Sequence, residues 1–492
     1  MGWIGSTSVV RSVVRSVVRV VVDGGSSICK DWIHEGDDRI QMGCGVGRRS
    51  APVLKQADNE RLTRTGPDTP MGRLMRAYWQ PAALVSEMSP ERPVKAVRLL
   101  GEDLVLFKKE AGGWGLISRW CAHRGVDLSY GRLEDGGLRC LYHGWLYGPD
   151  GRCLAQPAEP EHSRFASKIR IASYPCEERN GIVFAYLGAG DPPPFPAYDC
   201  FTAPDEHTFA FKGLWECNWL QGVEGGIDPS HVSFLHRFID EDPRDVYGQQ
   251  FSEVVEGTGQ KLSKLVGDAY RPDIEVEQVD HGLRVFAIRQ LTEQVKHVRI
   301  TNLMFPNAFV VPFGNDKVFT QWHVPVDDHT HYWFMILYDF KQPTDKQTLL
   351  DQRLKEVTLP DYRPIRNRSN DWGFDAAEQR DLTYTGMGLD INVHDQWAVE
   401  SMGPIQDRTV ERLGVSDRAV TANRRLLLRA IDALEAGNPT PGLPVDEQAA
   451  QALIGPRAVD TITPTEGWQE RWQEREAERR AASPWASPQE VR

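Results

Sequence analysis

Short hydrophobic runs rich in β-branched and aromatic residues follow one another after residue 79 and predict β-strands. They include Lys95 to Leu100, Leu104 to Lys108, Gly115 to Ser118 and Gly181 to Leu187. Glycine and aspartate separate many of these runs, as in a small antiparallel β domain. We therefore expect such a domain over residues 79–190.

The stretch GAGDPPPFPAY, Gly188 to Tyr198, is predicted to be the linker that ends this domain. Its three consecutive prolines cannot continue a helix or a central strand. Beyond the linker, Asn218 to Leu235 has a helical pattern. Four further runs predict strands: Leu283 to Gln290, Ile300 to Leu303, Ala308 to Pro312 and Tyr332 to Phe340.

The clearest helix is predicted between Gly414 and Gly437. Ser416 is its predicted N-cap, Leu427 and Ile431 share one face with Leu434, and Gly437 is a stop signal. A sheet combined with long helices indicates an α+β domain, which we place at residues 191–445.

The two ends of the chain differ from the rest. Residues 1–52 contain the repeat VVRSVVRSVVRVVV and a Gly/Arg-rich stretch. We interpret them as a translated upstream segment, with an organellar transit peptide as the alternative. Residues 53–78 form a lead-in broken by turn residues. Residues 446–492 are rich in Arg and Glu and predict a charged tail, with a solvated surface or interface helix over GWQERWQEREAERRAA.

Composition narrows the class of protein. The 492 residues are 40% hydrophobic, 26% charged and 9% aromatic, as in globular proteins, and no stretch has the length of a membrane span. A net charge of -12 argues against nucleic-acid binding. Eight scattered cysteines do not form a disulfide scaffold and favour metal binding or burial in a reducing compartment. We expect a cytoplasmic protein.

The pattern Cys121-Ala-His123, sixteen residues, then Cys140-Leu-Tyr-His143 supplies two thiolates and two imidazoles from two loops. This donor set can hold a [2Fe-2S] cluster in which the thiolates bind one iron and the histidines the other. Structural zinc also accepts two cysteines and two histidines. Zinc fingers, however, usually place both cysteines in one arm, whereas here each arm has one of each. The mixed arms favour the cluster.

The segments CAHRG and CLYHGW around these ligands resemble the cluster-binding loops of Rieske non-haem iron oxygenases. Leu141 stands where family members more often have proline. The resemblance extends from about Val53 to about Leu434 and is greatest to the phthalate 4,5-dioxygenase group. It implies an N-terminal Rieske [2Fe-2S] domain of antiparallel β structure and a catalytic α+β domain of the helix-grip (START-like) type with an antiparallel sheet.

A second candidate site lies in GVEGGIDPSHVSFLH, which contains Asp228, His231 and His236. The spacing of the two histidines lets them share one metal. Non-haem Fe(II) oxygenases bind iron with two histidines and one carboxylate on one face and leave the other positions open. The carboxylate has to come from elsewhere in the chain.

The resemblance supplies that carboxylate. VHDQWAVESMGPIQDRTVERLGVSD is similar to the C-terminal signature of the phthalate dioxygenase branch, in which the iron ligand stands five residues before a glutamate. The ligand would then be Asp395, followed by Glu400, with Asp407 and Asp417 as fallback candidates. The family also implies that Asp228 bridges His143 of one subunit and His231 of another in a trimer or a pair of stacked trimers.

Two weaker site predictions complete the set. Glu224 is a candidate for the same polar network as Asp228, and a surface helix charge is the alternative. Arg237 is a guess for a cation that binds an acidic substrate, and a surface or interface salt bridge is the alternative.

The function implied is the oxygenase component of a multicomponent enzyme, with one [2Fe-2S] cluster and one mononuclear Fe(II) per subunit. It would use O2 to cis-dihydroxylate an aromatic acid such as phthalate, with electrons from a separate NAD(P)H-dependent reductase with flavin and iron-sulfur centres. No GxGxxG fingerprint for a nucleotide occurs in a strand-to-helix context. The alternatives are a monooxygenase or aryl-ether O-demethylase, a Rieske electron carrier, and a zinc-stabilised binding module.

Overall fold

The computed structural model describes residues 54–134, 136–239 and 259–486. These residues belong to one compact unit, Pro52–Arg492. The expectations for residues 1–52 fall outside the described residues.

The N-terminal part is built from short strands in antiparallel sheets. The strands are β1 (Gln80–Leu84), β2 (Val94–Leu99), β3 (Glu102–Lys108), β4 (Trp114–Ser118), β5 (Arg132–Glu134), β6 (Gly137–Arg139), β7 (Leu146–Tyr147), β8 (Cys153–Ala155), β9 (Ser173–Tyr174), β10 (Cys176–Arg179) and β11 (Ile182–Ala185). They form sheets in the orders β1-β11-β10, β2-β3-β4-β9 and β5-β6-β7-β8. The predicted small antiparallel β domain is confirmed.

The C-terminal part is dominated by one large antiparallel sheet. Its strands are β12 (Thr208–Trp215), β13 (Asp273–Val279), β14 (Gly282–Gln290), β15 (Val295–Met304), β16 (Ala308–Pro312), β17 (Lys317–Pro325), β18 (His331–Asp339) and β21 (Val459–Pro464), with a separate pair, β19 (Val357–Thr358) and β20 (Arg363–Pro364). The order is β12-β18-β17-β16-β15-β14-β13, and β21 pairs with β15. Most residues of β14, β16 and β18 are buried, which explains their nearly continuous apolar sequences.

Helices surround this sheet. They are α1 (Gln56–Thr63), α2 (Pro70–Arg76), α3 (Asp199–Thr202), α4 (Trp219–Ile227), α5 (Leu262–Asp268), α6 (Lys346–Arg353), α7 (Ala376–Asp381), α8 (Ile391–Ser401), α9 (Arg418–Glu435), α10 (Glu447–Ala452) and α11 (Trp468–Ala482). Among the described residues, none of them has both the length and the apolar character that a membrane crossing requires. The predicted combination of sheet and helices is confirmed.

Helix α4 lies close to the sheet because two of its three glycines, Gly222 and Gly226, face it. A Cβ at Gly222 would stand 2.2 Å from Nδ1 of His323, and one at Gly226 would stand 2.0 Å from the ring of Phe309. These contacts leave no room for a side chain. The close approach brings the end of α4, where the second candidate site begins, directly over β16 and β17.

Helix α9 is the long helix predicted between Gly414 and Gly437, and Gly437 has the left-handed φ of +72° that a helix stop favours. Its N-cap, however, is Asp417 and not Ser416, because a 3₁₀ turn, Val415–Asp417, precedes the helix. The amphipathic helix contacts α4, β13 and β14.

The C-terminal region does not form the solvated tail that its charge suggested. Strand β21 extends the large sheet beside β15, and α11 has a buried face. Trp468 and Trp472 pack on Phe286 with ring centroids 5.5 and 6.0 Å apart. Arg480 is buried in ion pairs with Asp199 and with Glu476 of its own helix. Charged residues can be buried here because each meets a partner of opposite sign.

Candidate metal centres

Two loops of similar backbone design carry the first four candidate ligands. The carbonyl of Cys121 accepts the N–H of Gly125 at 2.8 Å, and the carbonyl of Cys140 accepts the N–H of Gly144 at 3.1 Å. The two glycines have φ of +71° and +70°, which side chains disfavour. Each loop therefore closes on itself in a tight turn between its cysteine and the glycine four residues later.

The four side chains converge as a metal cluster requires. Cys121 and Cys140 are buried, and the rings of His123 and His143 lie 4.5 Å apart. Nδ1 of His143 is buried without a hydrogen-bond partner among the described residues. A buried nitrogen without a partner is costly unless a ligand satisfies it. Two thiols and two imidazoles in this arrangement fit a [2Fe-2S] cluster of the Rieske type.

Two neighbours of these ligands escaped the sequence analysis. The hydroxyl of Tyr147 lies 3.3 Å from Sγ of Cys121 and accepts the N–H of Ala122 at 3.1 Å. The ring of Trp145 stacks on His123 at a centroid distance of 4.6 Å. Both residues follow CLYHG closely in sequence, but only the folded loops show that they contact the first loop. Both side chains thus connect the second loop to the first, Tyr147 at Cys121 and Trp145 at His123.

The second centre forms where α4 and α8 meet the large sheet. After α4 ends, a 3₁₀ turn carries His231, and His236 follows in the same segment, whereas Asp395 lies within α8. Oδ1 of Asp395 is 3.7 Å from Nε2 of His231 and 3.3 Å from Nε2 of His236. One ligand atom from each of the three residues lies within 4.8 Å of the others. Residues 231 and 395 are far apart in sequence, and the fold brings them together.

This donor set fits a mononuclear iron. Two imidazoles and a carboxylate in one small group are the ligands that such iron uses. Burial raises the pKa of Asp395, but the neighbouring His236 and His231 outweigh this effect, so that its pKa is lowered and the carboxylate stays ionised. The site thus keeps a negative charge that a cation can neutralise.

His394 supports this centre, and sequence reasoning missed it. Its Nδ1 lies 3.5 Å from Nδ1 of His236, and its Nε2 lies 2.9 Å from the carbonyl of Gly388. Because the carbonyl can only accept, Nε2 carries the proton and Nδ1 faces His236 as an acceptor. Burial lowers the pKa of His394 to about 4, so that it is neutral. The only signal in the sequence was its position just before Asp395.

Asp228 lies beside one candidate ligand. Its Oδ2 is 3.7 Å from Nδ1 of His231, and its Oδ1 accepts the N–H of Ser230 at 2.7 Å. Burial lowers the pKa of His231, but the carboxylates of Asp228 and Asp395 outweigh it and raise this pKa. Asp228 and Asp395 therefore face the two different nitrogens of His231, Asp228 at Nδ1 and Asp395 at Nε2.

Glu224 occupies neither of the places expected for it. The side chain is buried in ion pairs with Arg408 at 2.9 Å and Arg424 at 2.5 Å. Burial raises its pKa, but the two guanidinium groups outweigh this effect and lower it. Since Arg424 belongs to α9, Glu224 ties α4 to α9. It is neither a surface charge nor a neighbour of Asp228.

The fallback ligands lie elsewhere. Asp407 is exposed and accepts the N–H of Thr409 at 3.0 Å. Asp417 accepts the N–H of Gly414 at 2.5 Å at the start of α9. Neither belongs to the group of described residues that could hold a metal.

A pocket opens beside the second centre, with about 660 Å³ of empty volume. Most of its walls are apolar or aromatic. The residues lining it are Gly226, Asp228, Pro229, His231, Val232, His236, Arg299, Thr301, Phe309, Val311, Pro312, Phe313, Phe319, Gln321, Ile391, Asn392 and Asp395. Arg237 does not line this pocket, and its side chain lies beside Gly267 of α5. Of the described residues that line the pocket, Arg299 is the cation.

Comparison with known proteins agrees with both centres. Residues 78–175 match the Rieske [2Fe-2S] domain, and residues 185–485 match the family described as LigXa C-terminal domain like. The oxygenase subunit of phthalate 4,5-dioxygenase from Pseudomonas putida is 36% identical over 78% of this chain and 88% of its own. The oxygenase subunit of 3-chlorobenzoate-3,4-dioxygenase from Comamonas testosteroni is 34% identical over 83% and 95%.

The fold has a solved counterpart. The structure described as the reduced complex between oxygenase and ferredoxin in carbazole 1,9a-dioxygenase has a chain that superimposes with a TM-score of 0.50 at 23% identity. The match covers 79% of this chain and 99% of the other.

The chain belongs to the Rieske non-haem iron oxygenases. Within them it is an oxygenase component of the phthalate 4,5-dioxygenase-like group, with a [2Fe-2S] cluster and a mononuclear iron.

Proposed function

We propose that this oxygenase acts on an aromatic carboxylic acid, which binds in the pocket beside His231, His236 and Asp395 and is cis-dihydroxylated on its ring. The observation that carries this proposal is the position of Arg299 in the pocket wall. The relatives named for phthalate and 3-chlorobenzoate support it.

Buried cations behind the pocket favour the binding of an anionic substrate. Arg299 is paired with Asp460, and Asp460 also contacts His297. Arg289 on the neighbouring strand is buried as well and donates to the carbonyl of Pro229 at 3.0 Å. Burial lowers the pKa of Arg289 to about 10, so that it remains protonated at neutral pH. Burial also lowers the pKa of His297, which favours its neutral form.

Arg289 and Arg299 are thus two buried cations behind the pocket, and the carboxylates of Asp460 and Asp228 lie close enough to raise the pKa of Arg289. Nε and Nη1 of Arg289 have no hydrogen-bond partner among the described residues. A buried cation is stabilised by hydrogen-bonded partners of opposite charge, and an anionic ligand in the adjacent pocket would supply a further one. Phe309, Phe313 and Phe319 supply apolar walls for a ring.

The side chains around the pocket have three roles in the proposed reaction: they bind the metal, exclude water and orient the substrate. When bound, an iron here would supply the activation of dioxygen, and the [2Fe-2S] cluster would supply electrons from a reductase or ferredoxin. His231, His236 and Asp395 would hold the iron, and the pocket lies directly beside them. The aromatic walls exclude water, and Arg299 would orient the acid in the pocket.

Charge removal at the pocket tests the substrate class. Arg299→Gln combined with Asp460→Asn removes both partners of the ion pair and leaves the net charge of the region unchanged. We expect benzoate and phthalate to bind about 10- to 100-fold more weakly, as for the loss of a charged hydrogen bond. Binding to the anaerobic holoenzyme is measured by calorimetry.

Two controls accompany that measurement. Benzamide, which has the same shape without the charge, should bind the double variant and the wild type equally. Arg237→Gln should leave benzoate binding unchanged. If the double variant binds benzoate as tightly as the wild type does, Arg299 does not recognise the acid.

Labelled dioxygen tests the reaction. Turnover with 18O2, a reductase and a panel of aryl carboxylates should give products with two labelled hydroxyl oxygens, as ring dihydroxylation requires. A relative described as 5,5'-dehydrodivanillate O-demethylase oxygenase subunit, 31% identical over 78% of this chain, keeps demethylation as the second candidate. One labelled oxygen, with formaldehyde from a methoxylated acid, would establish that alternative.

We also propose that Asp228 connects two subunits. Its contact with His231 supports this role, in which the same carboxylate would reach His143 of the partner subunit in a trimer or hexamer. Asp228→Asn should keep the visible spectrum of the cluster and the iron content. Reoxidation of the reduced cluster in the presence of substrate and O2 should slow by about 10- to 100-fold, because the carboxylate that orients the imidazole is lost. Stopped-flow absorbance measures this rate, and an unchanged rate removes Asp228 from the connection.

A further inference from the structure

A chain of buried hydrogen bonds leads away from the pocket through two histidines that bind no metal. Nε2 of Gln321, in the pocket wall, lies 3.2 Å from Nε2 of His323. Nδ1 of His323 lies 2.8 Å from Nε2 of His331, and Nδ1 of His331 lies 2.8 Å from the carbonyl of Cys217. All three side chains are buried, and His323 and His331 are completely inaccessible to solvent.

The carbonyl at the end of this series of hydrogen bonds determines which ring nitrogens carry protons. The carbonyl of Cys217 can only accept, so Nδ1 of His331 carries a proton. Burial lowers the pKa of His331 to about 4, and burial together with His331 lowers that of His323 well below its ordinary value, so both rings are neutral. A neutral His331 protonated at Nδ1 has a bare Nε2, which accepts from Nδ1 of His323. Nε2 of His323 is then bare and needs a donor.

Among the described residues, the amide nitrogen of Gln321 is the group placed to be that donor. If the amide were turned by 180°, its oxygen would face the lone pair of His323, and two buried acceptors would oppose each other at about 3 Å, which is strongly unfavourable. The amide is therefore held in one orientation, with the NH2 group on His323. Its oxygen has no hydrogen-bond partner within the described parts of the chain and remains available to the pocket.

The surroundings hold the rings in place. Gly222 of α4 gives room to the His323 ring, which would collide with any Cβ at that position. Phe309 packs on the same ring with centroids 5.6 Å apart. Trp215 lies 5.4 Å from His323 and 5.7 Å from His331. These contacts leave the two imidazoles little freedom to rearrange.

We propose that the amide oxygen of Gln321 accepts a hydrogen bond from the substrate, so that the preferred aromatic acid carries a ring hydroxyl or amino group. This inference rests on the proposed function, because Arg299 is taken to bind the carboxylate in the same pocket. An oxygen in the pocket wall that can only accept selects substrate groups that donate, and a buried acceptor left without a partner penalises analogues that lack a donor. Gln321 is thus a specificity-determining residue, and His323 and His331 are positioning residues that act through it.

The test compares monosubstituted benzoates for binding to the anaerobic holoenzyme by calorimetry. At each ring position the substituent is hydroxyl or amino, which donate, or fluoro, methyl or methoxy, which do not. We expect both donors at one ring position to bind roughly tenfold more tightly than the other three. Because methyl matches hydroxyl in size and methoxy is larger, a size effect would give a different order.

Variants then separate the acceptor from the chain that orients it. Gln321→Met keeps the volume and removes the oxygen, so it should abolish the donor preference, which is measured in that variant as the ratio of hydroxybenzoate to methylbenzoate affinity. His331→Phe frees the amide to turn, and we expect the preference to fall to about one as methoxy analogues gain affinity. His281→Phe removes another buried imidazole, one bonded to Asn302 and the carbonyl of Ile454, and should keep the wild-type preference.

Each result decides a different point. If the wild type binds no benzoate at all, the proposed function fails. If benzoates bind but donors and non-donors bind equally, or methoxy analogues bind best, the inference fails and the proposed function stands. If His331→Phe does not fold, Gln321→Met still decides, because an unchanged donor preference in that variant overturns the role of Gln321.

Discussion

Replacing Asp395 with alanine is expected to remove the mononuclear iron and to lower product formation by three orders of magnitude or more, to about the level without enzyme. The carboxylate contacts both histidines, at 3.7 and 3.3 Å, and two imidazoles alone are a weak site for Fe(II). The cluster lies on other loops and should be unaffected. Iron content should fall from about three to about two per chain, with an unchanged visible spectrum.

Asp407→Ala is the matched control, because Asp407 is an exposed aspartate in the same sequence signature. It should retain about three irons per chain and full activity. If Asp395→Ala kept its third iron while Asp407→Ala lost it, the ligand assignment would be wrong. A wild type with only two irons and no oxygenation of any acid would instead be an electron carrier.

Replacing Cys140 with alanine is expected to abolish the cluster and, with it, all turnover that depends on the electron donor. Cys140 supplies one of two buried thiols, and its loop is closed by the bond from Gly144 at 3.1 Å. With one thiolate left, the iron that the cysteines bind has lost half of its protein ligands. The protein should be colourless and lack acid-labile sulfide, yet keep the mononuclear iron at about one per chain.

Cys176→Ala serves as the control for this change. Cys176 lies on β10, outside both loops, and burial raises the pKa of its thiol to about 12, which keeps it protonated and a poor metal ligand. This variant should retain the colour and the sulfide of the wild type. A coloured, sulfide-containing Cys140→Ala protein would contradict the assignment of the cluster, and zinc in place of iron in the wild type would favour a structural zinc module.

Several strands were missed because they combine buried positions with polar residues. Strand β12 contains Lys212, which is buried in an ion pair with Glu87 at 2.8 Å. Strand β17 contains Gln321 and His323, which line the pocket or stand behind it. A polar residue in a strand interrupts the hydrophobic pattern and suggests a loop. The partner that allows its burial belongs to a distant part of the chain, so the sequence pattern does not show it. The buried face of α11 was missed for the same reason, because Arg480 is buried beside Asp199, which is distant in sequence.

The sequence by itself indicated the family and predicted both groups of candidate ligands that lie close together along the chain. Metal coordination requires particular side chains at short spacings within a loop or turn, and such spacings are visible in Cys121, His123, Cys140 and His143 and in the pair His231 and His236. The resemblance also pointed to Asp395, which the fold places beside that pair. Ligands that are close together along the chain can therefore be predicted from the sequence pattern alone.

Only the tertiary structure decided what surrounds those ligands. It replaced Arg237 with Arg299 as the cation of the pocket, placed Glu224 between Arg408 and Arg424, and joined Gln321 to His323. Each of these assignments depends on strands and helices that are distant in sequence and pack side by side. The charge and hydrogen-bonding direction of a buried group are set by such neighbours, and no periodicity or spacing along the chain records them.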